Sequence, residues 1–302
     1  MDRLAGLELF VRVVETGSFS KAADDLHIAQ STATKAVAAI EQRLGARLLH
    51  RSTRGITPTE VGALYYERCK RVAHEMDNAE NLATLLQGGV SGLLRISTSL
   101  AFGRRVMVPL VLKYMKEHPG VTVDLGFDDR YVDMVEQGAD LAVRMGQLAD
   151  SSLGSRYLGI NPWVLVGSPS YLEQHAAPTS PADLSKHACL IYSSVQGDDR
   201  WTFTGTSGKD LSVPVAGPLR SNNLSTVLAA ARSNMGLALL PWYVARESVD
   251  RGSLTPVLTK HTLSAQQLNA VFPSPRLVPA KVTAFIDYLQ AELAGDWWMR
   301  DY

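Results

Sequence analysis

Over the first ninety positions, apolar residues recur at helical spacing. Leu7, Phe10, Val11 and Val14 form one stripe, which predicts a helix from Leu4 to Thr16 that Gly17 closes. Phe19, Ala22, Ala23 and Leu26 share one face of a second, shorter helix, and Ser18 before it is a good N-cap. After a short break, Ala33, Val37, Ile40 and Leu44 repeat at helical spacing between Gln30 and Leu44. A short strand and a basic loop follow. Thr57-Pro58-Thr59-Glu60 then reads as a helix start, with Thr57 as cap, Pro58 at the first helical position and Glu60 completing a capping box. From there to about Gln87, Tyr65, Cys69, Val72, Met76, Ala79, Ala83 and Leu86 recur at spacings of four and three. So narrow a seam is that of a coiled coil rather than of a core-facing helix. Thirty helical residues span ~45 Å. The simplest partner for the seam is the same helix of a second chain; the other reading packs it on its own chain.

Gln87-Gly88-Gly89-Val90-Ser91-Gly92 is a hinge, and the pattern changes after it. Leu93–Thr98 reads as a strand, Gly103–Glu117 as a helix stopped by His118-Pro119-Gly120, and Val121–Leu125 as a strand. A short helix from Asp129 to Gln137 and a strand from Ala139 to Arg144 complete a first set. A second set comprises strand Trp163–Val166, a helix from Pro169, strand Cys189–Tyr192, helix Asn223–Ser233 and strand Leu237–Leu240. Leu268–Phe272 is a late strand, and Val282, Phe285, Ile286, Leu289 and Leu293 mark a closing helix that returns to the first set. Strands alternating with helices imply parallel α/β sheets. The expected fold is therefore α/β with an all-α N-terminal part. Residues 1–58 form a winged helix-turn-helix and 59–88 a linker helix. Residues 89–302 form two Rossmann-like lobes with a cleft between them. Lobe I takes about 92–161 and 268–302, and lobe II about 162–267.

Two short helices joined by a tight turn make a helix-turn-helix, whose second helix meets base edges in the major groove. The residues so placed are Gln30, Ser31, Thr34 and Lys35, on the face opposite Ala33, Val37 and Ile40. The same pattern also suits an ordinary helical hairpin with a solvated face. Charge changes the picture locally. The whole chain balances 30 basic against 30 acidic side chains. Between Gln30 and Arg54, however, Lys35, Arg43, Arg47, Arg51 and Arg54 face Glu41 alone. Such a patch suits phosphate.

The remaining composition mostly excludes. A length of 302 residues and a hydrophobic fraction of 46% fit two globular domains. No apolar run approaches the ~20 residues of a membrane span, and Met1-Asp2 begins a helix pattern rather than a signal peptide. Cys69 and Cys189 are far apart in sequence, which fits small buried hydrophobes in a reducing cytoplasm. The seven histidines show no ligand spacing, so no metal and no cofactor are expected. Ser18 and Lys21 fit one element of a penicillin-binding motif whose other elements are missing. Gly205–Asp210 resembles a phosphate loop broken by Phe203 and Asp210. No enzyme reading gains support.

The first 60 residues resemble the DNA-binding domain of LysR-type transcriptional regulators. The resemblance rests on Phe10, Val14, Gly17-Ser18-Phe19, Ala22-Ala23, Leu26, Gln30, Lys35, Ile40-Glu41, Leu44-Gly45, Leu48-Leu49, Arg51, Arg54 and Thr57-Pro58-Thr59. Ala29 stands where that family prefers Ser or Thr, and Thr34-Lys35 where it more often has Ser-Arg. Further on, Pro109, His118-Pro119, Asp133, Gly138, Asp140-Leu141-Ala142, Arg144, Ser168-Pro169, Asp183-Leu184, Trp201, Gly236 and Pro241 resemble its effector-binding domain. The resemblance implies a transcriptional regulator that binds double-stranded DNA and a small-molecule effector. It also implies dimers through the linker helix, tetramers beyond them, and RNA polymerase as a further partner. Ser18 and Arg51 are then expected on phosphates, and Arg54 in the minor groove.

The cleft also follows from the residues, since ligands of doubly wound sheets sit at the carboxyl ends of strands. One strand delivers Thr98, Ser99 and Leu100 to a helix start, and another delivers Asn222 and Asn223 to a second. Hydroxyls, amides and free N–H groups there suit a carboxylate, with Arg144 nearby. Plain N-capping is the competing role for these residues.

Overall fold

The computed structural model describes residues 2–52, 55–85, 90–129, 138–146, 153–193, 199–204, 210–273, 278–300 and 302; at residue 74 and residues 77–85 it describes the backbone alone. Arg54, Leu86, the side chain of Ala79 and the helix expected over 130–137 lie outside the described residues. The chain divides into two compact units, Met1–Gly92 with Asp133–Gly138, and Leu93–Val132 with Ala139–Tyr302.

In the first unit, α1 spans Arg3–Thr16 and Asp2 caps it. Gly17 ends it at φ 60°, a left-handed conformation that glycine adopts without a Cβ clash. The Ser18 hydroxyl accepts from the Lys21 N–H at 3.3 Å and so opens α2, Phe19–Asp25. After a turn in which His27 takes φ 54°, α3 runs over Gln30–Leu44. Phe10, Val13, Ala22, Ala33, Val37 and Leu48 close one core under these helices.

Strands β1, Leu49–Ser52, and β2, Gly55–Pro58, pair antiparallel as the wing. A two-stranded hairpin is marginal alone, so its anchors matter. The Glu41 carboxylate accepts from the N–H groups of Leu48 (2.8 Å) and Leu49 (3.2 Å), and the Ile56 N–H donates to the Gly17 carbonyl at 3.0 Å.

The linker helix α4 spans Glu60–Leu85. Its start corrects the expectation from Thr57 and Pro58. Thr57 pairs with His50, and Pro58 with Leu49, inside the wing. Thr59 is the cap: its hydroxyl accepts from the Gly62 N–H at 2.9 Å and donates to the Arg47 carbonyl at 2.8 Å. Gly62 is required because a Cβ there would sit 1.8 Å from the Leu48 carbonyl oxygen. The helix therefore grows out of the wing and is fastened to it.

The first turns of the expected seam also differ. Cys69 is buried in the chain's own core, and the Tyr65 ring lies 5.3 Å from that of Phe10. These two residues close the N-terminal domain itself. Val72 and Met76, further along, remain exposed.

The second unit carries two five-stranded sheets. In chain order the strands are β3 (Gly92–Thr98), β4 (Val121–Phe127), β5 (Leu141–Met145), β6 (Gly154–Asn161), β7 (Trp163–Gly167), β8 (Cys189–Tyr192), β9 (Arg200–Thr204), β10 (Asp210–Pro214), β11 (Arg220–Ser221), β12 (Leu237–Pro241), β13 (Thr255–Pro256), β14 (Thr262–Leu263) and β15 (Gln266–Phe272). Lobe I has the order β4-β3-β5-β15-β6 and lobe II β11-β8-β12-β7-β13. A small sheet, β10-β9-β14, is attached to them in sequence.

The sheets are mixed rather than parallel. Strand β15 runs antiparallel to β5 and β6, and β7 antiparallel to β12 and β13, whereas β3–β5, β8–β12 and β8–β11 are parallel. Each antiparallel strand is the one that enters directly from the other lobe, β7 after Pro162 and β15 after residues 264–265. Neither arrives through a helical crossover, so the constraint that makes such neighbours parallel does not apply.

The helical stretch after β3 begins at Leu100 rather than Gly103. Leu100–Phe102 is followed by a π-helical turn, Gly103–Met107, and an α-helix, Val108–Glu117. Helix Trp242–Asp250 has no counterpart in the expected set. A buried ion pair fastens the closing helix, Ala280–Glu292, to lobe I. Lys281 Nζ lies 3.3 Å from the Asp140 carboxylate and also donates to the Leu93 carbonyl, while Asp140 accepts the Arg95 N–H at 2.8 Å. Among the described residues no helix is long and apolar enough to cross a membrane.

Candidate DNA interface and effector cleft

Helix α3 turns Ala33, Val37 and Ile40 into the core, so Gln30, Ser31 and Lys35 are left exposed on the opposite side. Thr34 is half-buried, and its hydroxyl donates back to the Gln30 carbonyl at 3.1 Å. That bond restrains its rotamer. Ala29 at the N-cap makes no side-chain cap. The Thr32 and Ala33 N–H groups bond the Ala29 carbonyl, which leaves the N–H groups of Gln30 and Ser31 at the helix start for an outside acceptor.

Beside that face stands the wing. Arg51 projects from β1 and places its guanidinium carbon 4.8 Å from the Phe19 ring centre. Phe19 opens α2, so the contact joins wing and helix-turn-helix. The Ser18 hydroxyl is engaged as the α2 cap, with its oxygen facing the helix start. Glu41, the one carboxylate of the basic stretch, is turned to the wing backbone and away from the polar face of α3. An ion pair from Arg12 to Asp25 (2.6 Å) ties α1 to α2, and a second, to Glu15 (3.2 Å), lies within α1. Hydrogen bonding to Asp25 and Glu15 holds the Arg12 guanidinium above its usual pKa.

In the second unit, the end of β3 gathers part of the expected cleft set. Arg144 is buried; it donates to the Ser97 hydroxyl at 3.0 Å and to the Asp128 carbonyl at 3.2 Å. Thr98 is fully buried, and its hydroxyl has no protein partner among the described residues. Ser99 and Leu100 are half-buried at the helix start. The Leu100 N–H donates to the Asp129 carboxylate at 2.9 Å. The donor that the sequence offered to a ligand carboxylate is thus held by a carboxylate of the chain.

On lobe II, Asn222 is exposed and Asn223 half-buried. The Asn223 side-chain oxygen accepts from the Ser225 (2.9 Å) and Thr226 (3.2 Å) N–H groups, capping helix Leu224–Arg232. Its amide nitrogen and the Asn222 side chain lie outside that cap.

Three groups escaped the sequence reading. The sequence pattern places Asp129 at a helix start, and the pair Asp128-Asp129 is the signal that it offers. Tyr243 interacts with Tyr192, Arg105 and Asp129, and burial holds its phenol protonated far above the usual range. Gln266 accepts from both Asn161 Nδ2 and Trp163 Nε1 at 3.1 Å, which links the two interlobe strands; no spacing in the sequence marks this trio.

The family described as "Bacterial regulatory helix-turn-helix protein, lysR family" matches residues 4–63, and that described as "LysR substrate binding domain" matches residues 87–294. The HTH-type transcriptional activator AaeR of Escherichia coli (strain K12) is 33% identical over 289 residues, which is 96% of this chain and 93% of AaeR. The HTH-type transcriptional regulator CrgA of Neisseria meningitidis serogroup C is 31% identical over 291 residues, which is 96% of this chain and 97% of CrgA. The full-length structure of the Vibrio cholerae virulence activator AphB superposes with a TM-score of 0.61 at 29% identity, covering 96% of this chain and 99% of that one.

Proposed function

Because this chain belongs to the LysR family of transcriptional regulators, we propose that its α3 face and wing read an imperfectly palindromic DNA site as a dimer, under the control of a small carboxylate bound between the two lobes. Members of the family are regulators rather than enzymes; they bind DNA and small-molecule effectors and form oligomers. The observation that carries the DNA reading is the exposed Gln30, Ser31 and Lys35 beside a wing that Arg51 stacks onto the helix-turn-helix. Gln30 can pair bidentately with adenine, whereas Lys35 reaches guanine as a point charge. Arg51 and Ser18 hold phosphates, and Arg54 enters the minor groove next to the wing. The exposed Val72 and Met76, with Ala79 and Leu86 beyond them, form the seam between two linker helices. Tetramers and contact with RNA polymerase belong to the same reading, as does action in the cytoplasm.

For the effector, Asp129 changes the chemistry. A carboxylate brought to the Leu100 N–H meets a negative charge already there. The reading this favours places the effector carboxylate on the Asn222 and Asn223 amides and the Ser99 hydroxyl, and a hydroxyl or amine of the effector on Asp129. Thr98 and Arg144 support the floor of that site. A ligand touching both lobes favours the closed form and shifts the equilibrium by its difference in affinity.

A gel shift tests the reading with full-length chain, the upstream DNA of its own gene and a shuffled control. The expected result is a specific complex whose mobility or midpoint changes with a hydroxy- or amino-substituted carboxylate, first found by its rise in melting temperature. Equal binding to both DNAs sinks the regulator reading. A response confined to carboxylates without a donor group sinks the role given to Asp129.

A further inference from the structure

A second cavity, of about 410 Å³, lies apart from the strand ends that carry Ser99 and Asn223, and it is lined from both lobes. Helix Trp242–Asp250 of lobe II gives it Tyr243, Arg246 and Glu247, among others. Lobe I gives it Arg105 from the π-helical turn, and Trp298 and Arg300 from the segment after the closing helix.

Its charges do not cancel. Four guanidiniums line it, those of Arg105, Arg246, Arg251 and Arg300, against two carboxylates, those of Glu247 and Asp250, an excess of two positive charges. The carboxylates are already engaged on their own helix. Arg251 lies 2.9 Å from Glu247, and Arg246 lies 3.3 Å from Asp250. Arg300 gives donors to the backbone carbonyls of Glu292 and Ala294, at 2.6 and 2.8 Å, and makes no ion pair among the described residues. Arg105 is half-buried, and desolvation pulls its pKa below the usual guanidinium range. Tyr243 and the Glu247 carboxylate offset only part of that cost, and a further anion would offset more.

The local backbone is also unusual. A π-helical turn inside an α-helix widens it by one residue per turn, is rare, and recurs at functional sites. Here it spans Gly103–Met107 and carries Arg105 into the cavity wall. Tyr243, Trp298, Val106 and Val244 complete the lining around the arginines. A volume of this size, lined by both guanidiniums and aromatic rings, matches a small organic ligand.

We infer that this cavity is a second ligand site, for a small aromatic dianion, which clamps helix Trp242–Asp250 of lobe II to the π-helical turn of lobe I. Two charges on the ligand meet Arg105 and Arg300, and its ring lies against Trp298 and Tyr243. Tyr243 lines this cavity and is coupled electrostatically to Asp129, the residue that holds the Leu100 N–H at the end of β3. Occupancy of the second site therefore fixes the wall of the first and stabilises one lobe arrangement.

Phthalate, an aromatic dianion, is the probe, titrated into the full-length chain by calorimetry and tryptophan fluorescence. The expected result is saturable binding that changes fluorescence. Arg105→Gln and Arg300→Gln each weaken it roughly tenfold or more, the loss of one charge-assisted contact. Trp298→Phe removes the fluorescence change while calorimetry still detects heat. Arg105→Gln keeps the wild-type circular dichroism and DNA complex without phthalate; should it misfold, the exposed Arg300→Gln decides alone. Absence of saturable binding overturns the inference, and so does binding that Arg300→Gln leaves unchanged.

Discussion

The guanidinium of Arg51 lies 4.8 Å over the ring of Phe19, so the wing and the second helix of the N-terminal domain are joined by a cation–π contact. The contact orders an exposed arginine before any DNA arrives, which lowers the entropy lost on binding. Arg51→Ala is expected to weaken binding to all sequences alike and to reduce the slope of log affinity against log salt by about 1. Arg51→Lys keeps the charge and loses most of the stacking, so it should restore the slope and only part of the affinity. Fluorescence anisotropy across a salt series measures both.

Dimerisation is expected to depend on the part of α4 that projects beyond the core. Val72 and Met76 are 42% and 38% exposed, while Cys69 is 1% exposed within the chain's own core. Met76→Glu places a carboxylate in the seam against its symmetry mate and should give monomers in sedimentation velocity. Cys69→Ser should leave the dimer intact and lower the unfolding free energy by about 1–3 kcal/mol, since it puts a more polar group in a buried site where Tyr65 is its neighbouring hydrogen-bond partner. The opposite pattern would move the interface toward the N-terminal domain.

Lys281 and Asp140 are each 1% exposed and bonded to one another and to the backbone of β3. Lys281→Met strands the Asp140 carboxylate and should cost roughly 3–5 kcal/mol in urea denaturation. Changing both residues, Lys281→Met with Asp140→Leu, removes the stranded charge and should recover most of that loss. A single variant of wild-type stability would mean that the pair is solvated.

Burial raises the Cys189 thiol from 9.0 to about 12 and the Tyr114 phenol from 10.0 to about 12. An acid whose folded pKa is raised keeps its proton in the native state after the unfolded chain has lost it. Stability is therefore unaffected below about pH 9 and falls as pH rises from there toward 12. Urea midpoints measured between pH 8 and 11 should decline, and Cys189→Ala should flatten part of the decline. Native protein at pH 8 should leave this thiol unreacted with a disulfide reagent until urea is added.

How far the sequence could be read depended on whether a feature is local. The order of helices, the Ser18 cap, the Gly17 stop and the inner stripe of α3 depend on neighbours within one or two turns, and these follow from spacing. The start of α4 does not: Thr57 and Pro58 look like a cap and a first helical residue, but pairing with His50 and Leu49 claims them for the wing. Tyr65 and Cys69 share a periodicity with Val72 and Met76, and only the position of α1 separates core from seam. The sheet directions escaped for a related reason, since two strands cross between lobes without helices. In the cleft, Asn223 was legible as a polar residue at a helix start, but its oxygen serves the helix itself. Asp129 meets Leu100 across 29 positions, a distance over which no sequence period operates.

The account stands most directly on the exposed face of α3. Nuclease footprinting of the full-length chain on the upstream DNA of its own gene, with wild type beside Gln30→Ala, measures it. The wild type should protect two half-sites of an imperfect palindrome about one helical turn apart or a multiple of it. Gln30→Ala should keep the outline of protection, lose about 1–3 kcal/mol of affinity and relax preference at one base pair in each half-site. A footprint unchanged in position, affinity and base preference would contradict the placement of α3 in the major groove.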